Sequence, residues 1–231
     1  MTQLGDLAFY LSAAGGARGP SGPLYLLYVD PKTSSLVAKL WTGEDKFERI
    51  ENIAESVRPN SAASYIIGPS IRLIAYISSE DELRVCELDD ESDEWMDDTS
   101  VQHKVHPIGQ VAAVLFPNDR VRIIFQDPSG GFTLLDRVGG SWSSIALPIA
   151  LKAGSPIGTW MVGNHLHIFY VSANNNSLHY VVEDGDNQWK DVAVASCMFG
   201  EKSNPKRFMV LGGPKGDNTF QVFVMTETNT V

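Results

Sequence analysis

A tryptophan follows a polar turn in three segments of the chain: Glu94-Trp95-Met96-Asp97-Asp98, Ser141-Trp142-Ser143-Ser144-Ile145 and Gln188-Trp189-Lys190-Asp191-Val192. Successive tryptophans are 47 residues apart, and Phe47 holds the equivalent place 48 residues before the first of them. A fixed period of this length indicates a repeat architecture, in which each repeat is one supersecondary unit.

Each repeat contains four short segments in the same order. A small-residue or apolar segment comes first, two segments rich in Val, Ile, Leu, Tyr and Phe follow, and the segment that begins with the aromatic residue is the fourth. Polar turns separate the segments, and no apolar stripe recurs with the helical period of 3.6. Four antiparallel strands in each repeat predict an all-β fold, a β-propeller with four-stranded blades.

The repeat divides the chain into four complete blades and one partial blade, which we expect to form a single domain over residues 1–231. The predicted blades span about residues 7–52, 61–102, 110–150 and 156–197, and the partial blade spans residues 206–231. A single β-sandwich is the alternative, but it would not produce the period. We favour five blades with an incomplete last one. A second copy in a homo-oligomer, or a longer protein, could also cover its open edge.

Composition excludes several classes of partner. The net charge of −10 argues against nucleic acid and against an anionic membrane surface as partners. Two cysteines, Cys86 and Cys197, are too few for a disulfide scaffold, so we expect both to be reduced. No signal peptide is seen at the N-terminus, which predicts a cytoplasmic protein or one secreted without a leader.

The repeat unit resembles the fungal and bacterial fucose-binding lectins of the Aleuria type. In that unit, (Ile/Val)-Arg-(Ile/Leu) is followed by a polar turn, an apolar hairpin and a tryptophan. Its clearest carriers are Ile71-Arg72-Leu73 before Trp95, 121–126 before Trp142 and 167–170 before Trp189. The repeat length is also similar to that of five-bladed lectins of the tachylectin-2 type. The resemblance implies a soluble, lectin-like propeller of fungal type that binds carbohydrate in clefts between blades.

In these lectins an arginine of the second strand and a glutamate of the third strand hold the sugar hydroxyls, while aromatic residues of the adjoining blade stack on the sugar. The ligand-binding residues that the resemblance implies are Arg72, Arg122, Trp95, Trp142, Trp189 and His167, the last in the place of the arginine. Tyr25 and Gln221 take that place in the first and fifth blades.

The glutamate of the sugar clamp is not kept in the aligned sequence. The residues near its place in the four complete blades are Ala38, Val85, Leu134 and Tyr180. Glu87, two residues past Val85, could substitute only if the hairpin shifts. The sequence therefore predicts a lectin-like scaffold in which at most two blade interfaces keep half of the clamp.

Catalytic and metal-binding motifs are absent from the sequence. It contains no G-x-S-x-G elbow, phosphate-binding loop, dinucleotide-binding loop or zinc-type spacing, so we expect no metal and no cofactor. A second hypothesis is a small-molecule-binding enzyme, such as a fungal natural-product cyclase of the hetero-Diels–Alder type. Tyr10, Tyr65, Trp160 and Met209 would then line an apolar central pocket that binds an apolar small molecule. A third hypothesis is a protein-interaction propeller that uses the acidic stretch at residues 80–98.

Overall fold

The computed structural model describes residues 13–18, 24–41, 47–184, 188–200, 204–212 and 219–226. Regular structure in these ranges is β-strand apart from a single 3-10 turn at Pro117–Asp119. The first blade contains β1 (Gly15–Arg18), β2 (Leu24–Val29), β3 (Leu36–Trp41) and β4 (Phe47–Ala54). The second contains β5 (Ser64–Ile67), β6 (Arg72–Ile77), β7 (Glu82–Asp89) and β8 (Glu94–Asp97), with β9 (His103–Lys104) also paired to β7.

The third blade contains β10 (Val111–Leu115), β11 (Val121–Gln126), β12 (Gly131–Val138) and β13 (Ser141–Ala150). The fourth contains β14 (Gly158–Val162), β15 (His165–Val171), β16 (Ser177–Glu183) and β17 (Trp189–Met198). A fifth, two-stranded sheet contains β18 (Pro205–Gly212) and β19 (Phe220–Thr226). All these pairings are antiparallel and link strands in chain order within each blade, apart from the added β9.

The innermost strands of successive sheets lie beside one another. Contacts run from β1 to β5, from β5 to β10, from β10 to β14 and from β14 to β18. This arrangement is a β-propeller with four-stranded blades, which confirms the fold predicted from the 47-residue period. The closure of the ring as five blades stays a prediction.

The first innermost strand differs from the sequence prediction. The structure places it at Gly15–Arg18, whereas the predicted first blade, about residues 7–52, begins with the apolar segment 7–12, which lies outside the described residues. A glycine is needed at this edge because the strand runs very close to the next blade. A Cβ atom built on Gly15 would lie 1.8 Å from the carbonyl oxygen of Ala63. Close backbone approach is a frequent reason for glycine inside a strand.

Side chains of the second strands alternate between the two neighbouring blades. In β6, Leu73 packs with the third blade, whereas Ile74 packs with the first. In β11, Ile123 packs with the second blade and Ile124 with the fourth. Because both faces are buried, each strand has a strictly specified register, and a shift of one residue would reverse every side chain.

Candidate functional site

The register of the second and third strands determines which side chains face the following blade. In the third blade, Arg122 on β11 pairs directly with Asp136 on β12. The equivalent pairs in the other complete blades are Tyr25 with Leu40, Leu73 with Glu87, and His167 with Val182. Among the complete blades described, the third is the one in which an arginine and a carboxylate occur together.

Arg72 is not equivalent to Arg122, and this corrects the sequence alignment. Arg72 precedes Leu73, which faces the third blade, so its own side chain faces the first blade. There it is exposed and lines a groove with Tyr25, Tyr65 and Asp90. The alignment is wrong by one residue because it matched the letters Ile-Arg-Leu and Val-Arg-Ile without the strand period of two.

The place of the carboxylate also differs from the sequence alignment. The alignment placed Leu134 and Val85 there, but the register places Asp136 and Glu87, each two residues later. Glu87 has no arginine beside it on its own blade, and instead accepts a hydrogen bond at 2.7 Å from Arg137 of the third blade. The third blade therefore has an arginine and a carboxylate at the two paired positions, with Asp136 in the place of the glutamate.

The groove beside Arg122 separates the third and fourth blades. We call it the blade 3–4 groove, and it encloses about 560 Å³. Its lining residues are Phe116, Pro117, Asn118, Arg120, Arg122, Val138, Gly139, Asn164 and Glu183. It thus combines one aromatic ring, two guanidinium groups, a carboxylate and two amides.

An ion network crosses this groove. Arg122 Nη1 donates to Glu183 Oε2 at 2.5 Å and Nη2 donates to Oε1 at 3.2 Å, while Nε donates to Asp136 Oδ2 at 3.2 Å. Arg120 Nε donates to Asp136 Oδ1 at 2.7 Å. The Arg122 side chain is 3% exposed, but Glu183 and Arg120 are 17% and 37% exposed. Arg122 is therefore the buried centre of the network, whereas the side chains of Glu183 and Arg120 are partly accessible to solvent.

The two arginines set the electrostatics of the network. Burial alone would raise the pKa of Asp136, but hydrogen bonding from Arg120 and the charges of both arginines outweigh it and hold that pKa below its ordinary value. The same hydrogen bond raises the pKa of Arg120. The Phe116 ring lies 4.8 Å from the Arg122 guanidinium carbon and 5.5 Å from that of Arg120. These distances are typical of cation–π contacts.

The repeated tryptophans bind neighbouring blades together. Trp95 Nε1 donates to Glu51 of the first blade at 3.3 Å, and Trp142 Nε1 donates to Asp98 of the second blade at 2.8 Å. Trp189 packs against the core between the third and fourth blades, but its buried Nε1 has no acceptor in the described part of the chain. Trp95 and Trp142 thus each join two adjacent blades through a hydrogen bond, and none of the three rings lines the blade 3–4 groove.

His167 lies at the position of Arg122 in the fourth blade. Its Nδ1 atom is 3.3 Å from the carbonyl oxygen of His165, and its ring centroid is 5.5 Å from that of Tyr180. Burial lowers the pKa of His167 below its ordinary value. Since its cross-strand partner is Val182, this interface lacks the carboxylate of a sugar clamp.

The central axis differs from the apolar pocket of the second hypothesis. A channel of about 260 Å³ is lined by residues 13–16, 62–65, 110–113, 156–159 and 207–210, which include a guanidinium and an amide. The ring of Tyr65 packs edge-on against Tyr25 and Trp95 between blades. Trp160 is not among the lining residues, and its ring lies against Gly212. Met209 does line the channel, and Tyr10 lies outside the described residues.

Other kinds of site are absent from the described ranges. No group of three His, Cys, Asp or Glu side chains there could hold a metal ion. Cys86 and Cys197 are both free thiols. No helix in this part of the chain is long and apolar enough to cross a membrane.

Sequence comparisons find no match, either among protein-family models or among curated proteins. Comparison with solved structures does find matches. AofleA from Arthrobotrys oligospora, in a triple arginine-to-alanine mutant, matches with a TM-score of 0.72 at 15% identity, over 93% of this chain and 66% of that one. The SapL1 lectin in complex with α-methyl fucoside matches with a TM-score of 0.68 at 15% identity, over 91% and 71%.

The six-bladed β-propeller of Aleuria aurantia lectin matches with a TM-score of 0.67 at 14% identity, over 93% of this chain and 70% of that one. The chain thus spans about two thirds of the length of these structures. At such identities the likeness concerns the fold. The chain has the β-propeller fold of the Aleuria-type fucose-binding lectins.

Proposed function

We propose that this protein is a lectin-like module that binds carbohydrate in the blade 3–4 groove. The observation that carries the proposal is the pairing of Arg122 with Asp136 beside Glu183 of the next blade. Sugar hydroxyls both donate and accept hydrogen bonds, so a sugar site needs cationic donors and carboxylate acceptors next to each other.

The partly exposed residues of the network supply both a hydrogen-bond donor and a hydrogen-bond acceptor. Glu183 can accept a hydrogen bond from a hydroxyl, and Arg120 can donate to one, while Arg122 holds the two carboxylates in place. The amides of Asn118 and Asn164 border the same groove. Phe116 offers an apolar surface for the C–H face of a sugar ring.

Fucosides are the first ligands to test, because the structural neighbours include a lectin in complex with α-methyl fucoside. The other complete blades lack the arginine–carboxylate pair, so we expect a single site of this kind on the described part of the chain. A propeller that bound a sugar in every cleft between blades would have several such sites instead.

A glycan array that includes fucosylated structures tests the proposal. Wild-type protein should bind at least one class of glycan, and Arg120→Gln should lower that signal. Arg72→Gln is the matched control, since it removes the same charge from the groove between the first and second blades. Failure of the wild-type protein to bind any glycan would overturn the proposal.

A further inference from the structure

Arg207 extends into the central channel from β18 of the fifth sheet. Its Nη2 donates to the carbonyl oxygen of Ser61 at 2.9 Å, and its Nη1 is 3.2 Å from Oε1 of Gln110. Ser61 and Gln110 precede the innermost strands of the second and third blades. The guanidinium therefore reaches across the axis, and neutral groups of two other blades hold its orientation.

The charge of Arg207 has no counter-ion in the described ranges. Three other arginines with little exposure, Arg58, Arg122 and Arg137, each pair with a carboxylate within 4 Å. Arg207 forms no such pair there. Burial lowers its pKa to about 10, which still leaves the guanidinium charged at neutral pH. A half-buried cation that lacks an anion within the described ranges favours the uptake of an anion.

The Arg207 guanidinium also has N–H groups that its contacts with protein atoms do not use. It carries five N–H groups in a planar fork, and its contacts with Gln110 and Ser61 use two of them. A planar carboxylate can accept two parallel hydrogen bonds from such a fork. The chemistry of this group therefore matches a carboxylate ligand.

The volume and the lining residues of the channel restrict the class of ligand that can bind there. A volume of about 260 Å³ is several times the roughly 30 Å³ that one water occupies in the liquid, so a short organic acid fits. Ala63, Ala112 and Ile157 give the wall an apolar component. One cation beside a wall that is only partly apolar suits a monoanion with a short aliphatic tail better than a multiply charged phosphate. We propose that the central channel binds a small aliphatic monocarboxylate through Arg207.

Calorimetric titration of the full chain with sodium butyrate, acetate and phosphate, each at matched ionic strength in sodium chloride, tests this site. Butyrate should bind roughly 15-fold tighter than acetate, because it has two more methylenes and each one that is buried contributes about fourfold. Arg207→Met should weaken butyrate binding by roughly tenfold or more. Arg84→Gln, which removes a cation from the second blade away from the axis, should leave it unchanged.

A measurement on the wild-type protein tests the site even if Arg207→Met does not fold. The Nε–H resonance of Arg207 should shift during butyrate titration and stay in place with chloride. Unchanged butyrate affinity in Arg207→Met, or no heat and no shift in the wild type, would overturn the proposal. Phosphate binding tighter than butyrate would contradict the monocarboxylate assignment. This site is separate from the blade 3–4 groove, so either proposal can fail alone.

Discussion

Arg122 of the third blade forms a two-pronged ion pair with Glu183 of the fourth blade, with N–O distances of 2.5 and 3.2 Å. The same guanidinium also contacts Asp136 on its own blade at 3.2 Å. One buried arginine thus balances two carboxylates across a blade interface. A buried network of this type is sensitive to loss of Arg122, because Glu183 then has no ion-pair partner among the described residues and Asp136 keeps only Arg120.

Replacement of this arginine should therefore destabilise the fold. Arg122→Met should lower the free energy of unfolding by about 3 kcal/mol, since Glu183 loses its cation and Asp136 loses one of its two. Arg72→Met is the control and should change it by less than about 0.5 kcal/mol, because Arg72 is exposed. Urea unfolding of both variants measures the difference, and equal losses would contradict the different faces assigned to the two arginines.

The network should also make stability depend on pH at the acidic end. Because the folded-state pKa of Asp136 lies below its ordinary value of 3.8, its ionised form contributes stability above that value. That contribution is lost as the pH falls through the folded-state pKa. The wild type should lose more stability than Asp136→Asn on acidification below about pH 4. Unfolding curves of both proteins recorded above and below about pH 4 measure this difference. Parallel pH profiles for the two proteins would contradict the contribution assigned to ionised Asp136.

The tryptophans allow a matched comparison. Trp142 donates to Asp98, whereas the buried Nε1 of Trp189 has no acceptor among the described residues. Trp142→Phe should cost about 1 to 2 kcal/mol more than Trp189→Phe, because only the first substitution breaks a hydrogen bond to a carboxylate. Thermal or urea unfolding gives both values. A larger loss for the Trp189 variant would contradict the stabilising role assigned to the hydrogen bond between Trp142 and Asp98.

The fold could be predicted from the sequence because its signal is repeated. Tryptophans at a 47-residue spacing and apolar runs between polar turns are local features, and each blade repeats them. The first innermost strand that the structure describes is Gly15–Arg18, whose sequence is less apolar than that of residues 7–12, which lie outside the described residues. At that edge, close contact with the carbonyl oxygen of Ala63 matters more than β-propensity.

The candidate site was only partly predictable. Arg122 was identified from the repeat, but its carboxylate partners were not. Asp136 was missed because the hairpin register is two residues away from the sequence alignment. Glu183 belongs to another blade, 61 residues along the chain, and no local pattern connects it to Arg122. Sequence alone does not separate Arg72 from Arg122, because both faces of these strands are apolar. The packing shows that Arg122 shares a face with Ile124, whereas Arg72 lies on the face opposite to Leu73.

Calorimetric titration with α-methyl fucoside tests the central claim most directly, with wild type, Glu183→Gln, Arg120→Gln and Arg72→Gln compared under one buffer condition. The proposal predicts a single site in the wild type, affinity weakened by roughly tenfold or more in the Glu183 and Arg120 variants, and no change in the Arg72 variant. Unaltered binding in the Glu183 and Arg120 variants, or loss of binding in the Arg72 variant alone, would contradict it.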